Sequence, residues 1–138
     1  IYETLYQQNS GALVIANNLA SLLVTYREDE ESLERAWSIG RRLRSIDLAP
    51  IQDTYGWLLH RRGDSEEALP YLESAAEGLP EDPIVQAHLG YVYIALERNN
   101  DALKQLQKAV DIAGPVDTRD RIEQARVEVQ RLRDLTGN

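Results

Sequence analysis

The sequence repeats itself at an offset of 34 residues, and that repeat constrains the fold more than any other feature. Gln52 aligns with Gln86, Gly56 with Gly90, Ala68-Leu69 with Ala102-Leu103, Leu72 with Leu106 and Ala75 with Ala109. Similar side chains fill the gaps: Trp57 against Tyr91, Leu59 against Tyr93, Glu67 against Asp101. A fixed period of this length marks stacked supersecondary units that bury their apolar faces against one another.

Each unit reads as two helices. Ile51, Tyr55, Leu58 and Leu59 recur at three- and four-residue steps, as do Ala68, Leu69, Leu72, Ala75 and Ala76. Arg62-Gly63-Asp64 separates the runs, with a glycine free to take positive φ. Asp64 followed by Glu67 has the spacing of a capping box. Gly78-Leu79-Pro80-Glu81-Asp82-Pro83 stops one helix and starts the next, Pro83 suiting a first helical turn. No stretch alternates as a strand does, so the fold class is all-α. Two helices joined by a tight turn approach closely only where side chains are short. That is the physical reason for Gly56 with Ala68, and for Gly90 with Ala102.

These residues resemble the tetratricopeptide repeat, a 34-residue helix–turn–helix with the spacing W-x2-L-G-x2-Y, A-x3-F, A and P. One repeat is Gln52, Tyr55, Gly56, Leu59, Gly63, Ala68, Leu72, Ala75, Pro80; the next is Gln86, Leu89, Gly90, Tyr93, Ala102, Leu106, Ala109, closed by Gly114-Pro115. Both depart where glutamine replaces the bulky first aromatic and leucine replaces phenylalanine. The resemblance implies a right-handed α-solenoid of about three units with a C-terminal capping helix.

Its boundaries are residues 49–82 and 83–116 for the two clear repeats and 12–48 for a looser one. In the loose repeat Leu19-Ala20 and Ala36 stand four residues further apart than Tyr55-Gly56 and Ala68. The surplus is expected to enlarge the acidic turn Glu28-Asp29-Glu30-Glu31. Gly40 falls where a large apolar residue is expected, with Trp37 near enough to fill the volume. Residues 1–11, ending in Asn9-Ser10-Gly11, read as the end of a preceding repeat's second helix. Ile1 opens the chain without an initiator methionine, as in a fragment of a larger protein. Residues 117–136 form a capping helix with Ile122, Ala125, Val129, Leu132 and Leu135 on one face.

Charge and composition narrow the function. Fifteen basic residues face 23 acidic ones, a net charge of -8. Nucleic-acid binders carry the opposite signature. The longest apolar run, Tyr91 to Leu96, is far short of a membrane span, so this segment is not expected to insert. There is no cysteine, which removes thiolate chemistry and disulfides. His60 and His88 lack metal-ligand spacing and read as partly exposed polar residues. No serine sits in a nucleophile elbow and no glycine-rich phosphate loop is present. Neither an enzyme, a metal site nor a cofactor is expected.

A binding surface remains. In the resembled family the first helix of each repeat lines a concave groove, with contacts at positions 2, 5, 9, 12 and 13. Carried over, these are Pro50, Asp53, Trp57, His60 and Arg61, then Ile84, Ala87, Tyr91, Ile94 and Ala95. The loose repeat offers Val14, Asn17, Ser21, Val24 and Thr25. The groove set is Asn17, Ser21, Asp53, Trp57, His60, Arg61 and Tyr91, with Trp57 and Tyr91 as aromatic anchors. Trp57 has a second reading, packing against a neighbouring helix. The chaperone-binding members' carboxylate clamp is not matched, because Asp53 and Trp57 stand where it needs lysine and asparagine.

The leading expectation is a scaffold binding a peptide or helix of a protein partner. Its alternatives are self-association through the solenoid end as a homodimer, or a place in a larger bacterial secretion or polysaccharide-export protein. Cytoplasmic and periplasmic locations are both compatible.

Overall fold

The computed structural model describes residues 2–137, and side chains from residue 11 onward except 25 and 26. All its regular elements are helices: α1 (Tyr2–Tyr26), α2 (Glu30–Gly40), α3 (Ala49–Arg61), α4 (Ser65–Gly78), α5 (Pro83–Ala95), α6 (Asn99–Ala113) and α7 (Asp120–Thr136), with a 3-10 turn at Arg41–Leu43. No strand occurs among the described residues. Consecutive helices pack in pairs, α1 on α2, α3 on α4 and α5 on α6. The pairs stack in chain order, and α7 lies on α6 and the edge of α5. This is a helical-hairpin solenoid, as the periodicity predicts.

The short side chains sit at the crossings. Ala68, Ala75, Ala102 and Ala109 have no exposed surface. A Cβ on Gly56 would lie 2.8 Å from Leu72 Cγ, and one on Gly90 2.6 Å from Leu106 Cγ. The repeated glycine therefore receives the repeated leucine of its own hairpin. Ala75 and Ala76 join Val85 and Leu89 of the next unit in one apolar cluster. Ala109 joins Ala125 and Val129 of α7 in a second. The third surrounds Ala20, Val24, Ala36, Trp57 and Leu58.

Helix starts follow local chemistry. Asp29 caps α2 by accepting from the Ser32 amide at 2.9 Å. Asp82 caps α5 through the Ile84 and Val85 amides, with Pro83 at its first turn. Asp64 precedes α4, but its side chain makes no capping bond, so the expected capping box does not form.

Three further expectations change. α1 runs unbroken through Asn9-Ser10-Gly11, so no helix ends there. The loose repeat's turn is only Arg27-Glu28-Asp29, as short as Arg62-Gly63-Asp64. Its four extra residues extend the helices, because Asp29 caps early enough to draw Glu30 and Glu31 into α2. The volume at Gly40 is filled by Leu58 of α3, with which a Cβ would collide, while Trp37 stacks on Tyr55 at 5.9 Å. In α7, Ile122, Ala125, Val129 and Leu132 are buried as expected. Leu135 is 62% exposed, because the last turn runs past the apolar contact.

Candidate functional site

The first helices of the pairs share one side of the molecule, and two cavities open along it. One, about 720 Å³, lies between α1, the start of α5 and the start of α7; its lining includes Asn17, Ser21, Ile84, His88 and Arg121. The other, about 620 Å³, lies between α3, α5 and α7; its lining includes Trp57, His60, Arg61, Tyr91 and Arg121. Arg121 and Gln124 belong to both, so α7 forms a shared wall.

Trp57 is the centre of this face and is 3% exposed. It packs flat on His88, ring centroids 4.0 Å apart, with His60 at 4.7 Å and Tyr91 at 6.0 Å. The Arg121 guanidinium lies 4.9 Å from its ring centre. Its indole N–H is buried without a hydrogen-bond partner. Of the two sequence readings of Trp57, packing against neighbouring helices holds. Only its edge reaches the cavity.

The other expected residues divide. Asn17 and Ser21 line the first cavity, and Asn17 Oδ1 is buried with no partner. Asp53 is engaged internally, accepting from His88 Nδ1 at 2.9 Å. His88 is therefore not the partly exposed residue expected from sequence: it is buried between that carboxylate and the Trp57 ring. His60 is half-buried and shares a 3.0 Å hydrogen bond with Ser65 Oγ. Burial, and then the charges of His88, Arg61 and Arg121, lower its pKa to about 4, so it is neutral at pH 7. Arg61 lines the second cavity. Tyr91 donates its hydroxyl to the Arg121 carbonyl at 2.6 Å, and burial raises its pKa.

Among the remaining groove positions, Ile84 reaches the first cavity and Ile94 and Ala95 the second. Ala87 and Val24 are buried in the core and cannot contact a ligand. Pro50 is exposed; its carbonyl accepts from Thr54. Val14 is 55% exposed, and the Thr25 side chain lies outside the described residues.

Sequence reasoning missed Arg121 and Gln124. The signal was present: Asp53, Ala87 and Arg121 follow one another at intervals of 34. Continuing the repeat count into the final helix puts Arg121 on the groove side.

A stack of helical hairpins whose first helices line a shared face defines a helical solenoid. The tetratricopeptide repeat family model matches residues 59–115, the span from the end of α3 through α6, so that part of the chain is similar to tetratricopeptide repeats. Such repeats are generally protein–protein interaction modules and typically non-catalytic scaffolds. No curated protein matches the chain. Among the described residues no helix is long and apolar enough to cross a membrane. No His, Cys, Asp and Glu group suited to a metal ion occurs among them either.

Proposed function

We propose that the chain is a non-catalytic scaffold that binds a peptide or helix of another protein along the face lined by α1, α3, α5 and α7. The observation that carries this is the pair of cavities joined at Arg121 and Gln124. Together they offer a continuous track with apolar contacts at Ile84 and Ile94 and an unpartnered acceptor at Asn17 Oδ1. Ligand sites of this kind combine an apolar lining with a few placed polar groups.

Peptides selected by display against the immobilised protein test the reading. Amide shifts on titration should move at Ser21, Ile84, Ile94 and Gln124. Movement confined to Glu73 and Lys104, on the second helices, would reject it.

A second reading is self-association through α1, favoured by Val14, Ile15 and Leu22, which are 55%, 67% and 56% exposed. Sedimentation across a concentration range should show a dimer that Ile15→Lys dissolves. A monomer at all concentrations would exclude it.

A further inference from the structure

Resting on the groove reading, we propose that the cavity between α3, α5 and α7 receives an aspartate or glutamate side chain from the interior of an extended peptide, held between Arg61 and Arg121. The chain as a whole is strongly acidic, yet this cavity is lined by three arginines, Arg61, Arg121 and Arg131, against one carboxylate, Glu128. Glu128 is already committed, accepting from Arg131 Nε at 2.7 Å. Among the described residues neither Arg61 nor Arg121 lies within ion-pairing distance of a carboxylate.

Arg121 is half-buried, and among the described residues its side chain donates only a 3.3 Å hydrogen bond to Gln124. Burial disfavours its charged form, as does Arg61 from across the cavity; Tyr91, Glu28 and Asp120 offset this only in part. A guanidinium held this way gains most from an incoming carboxylate, which it can bind through two parallel hydrogen bonds. The flanking Trp57 N–H is a further buried donor with no partner.

Position along the track selects an internal residue over a chain end. Arg121 belongs to both cavities, so a carboxylate on it lies midway, with peptide continuing to either side. A terminal carboxylate there would leave one cavity empty.

The test uses peptide libraries blocked as N-acetyl and C-amide, one containing Asp and Glu, the other with Asn and Gln in their place. The acidic library should yield ligands that shift the α3 and α5 amides and weaken as salt is raised. Arg61→Gln and Arg121→Gln should each weaken the selected peptide about tenfold or more, the loss expected for a charged hydrogen bond. Lys104→Gln, the same charge change on exposed α6, should leave affinity unchanged. Far-UV circular dichroism of each variant should match the parent. Equal binding of the neutral library, or indifference to both arginine substitutions, overturns the proposal and leaves the groove reading standing. Binding only by peptides with a free carboxyl terminus overturns it in favour of an end-on contact. No amide shift with any library overturns the groove reading as well.

Discussion

Trp57 and His88 lie ring on ring, centroids 4.0 Å apart and planes inclined by 15°, joining the first helices of adjacent repeats. His88 is fixed from its other end by Asp53, so α3 holds it through both a carboxylate and an aromatic face. The contact is made between residues 31 positions apart and locks one repeat's register against the next.

Trp57→Ala should therefore act first on stability, by about 3–5 kcal/mol, through the cavity it leaves. Trp57→Phe should cost much less, under about 1.5 kcal/mol, because the indole N–H has no partner to lose. Urea unfolding followed by circular dichroism distinguishes them. Equal losses would show that the outer part of the indole, its second ring and N–H, carries the stabilisation.

Gly90→Ala should destabilise by about 1–3 kcal/mol, since its Cβ would lie 2.6 Å from Leu106 Cγ. Gly11→Ala should stabilise by up to about 1 kcal/mol, because it lies within α1 with nothing within 4 Å of the new methyl. Opposite signs in the unfolding midpoint are the expected result.

The turns of the two clear repeats share one left-handed position but fill it with different residues. Gly63 has φ 90°, and Glu97, 34 residues later, has φ 60°. A side chain in that left-handed region costs about 1 kcal/mol. Glu97→Gly should relieve part of it and raise the melting temperature, whereas Gly63→Glu should lower it. A drop for Glu97→Gly would mean the Glu97 side chain contributes more than the strain.

His60 gives the fold a pH dependence of known sign. Its pKa is about 4 when folded against 6.5 unfolded, so the unfolded chain binds more protons between those values. Its contribution is fully present above about pH 6.5 and is lost as pH falls towards 4, amounting to about 1–3 kcal/mol. Asp117 acts lower: its hydrogen bonds with Arg119 hold its pKa at about 2, so its contribution persists to more acid pH. His60→Gln should flatten the urea midpoint between pH 7 and 4.5, while the parent declines.

The hairpins were legible because their determinants are local and repeated. Gly56, Gly90, Ala68 and Ala102 declare the crossings, and Gly63 the turn. The glutamines that break the family spacing were visible only as departures. The structure shows Gln86, 1% exposed, donating to the Ala76 and Leu79 carbonyls at 3.0 Å and tying the incoming loop to α5. No spacing rule predicts such a bond, because its acceptors are main-chain atoms. The site was less legible for a similar reason. Whether Trp57 faced solvent depended on His88 and Arg121, which reach it from two other helices. The break expected at Asn9-Ser10-Gly11 failed because weak helix formers in mid-helix raise the cost of a helix without forbidding it.

Among the described residues the apolar interior falls into three clusters, and each pair is bridged by a partly buried ring. Trp37 touches the clusters around Tyr55 and Ala36, Tyr93 those around Leu89 and Ala102, and Tyr91 those around Ala102 and Trp57. Rings that span two clusters would couple them on unfolding. Trimming one should broaden the thermal transition more than it lowers its centre, converting a molecule that comes apart at once into one that comes apart in stages.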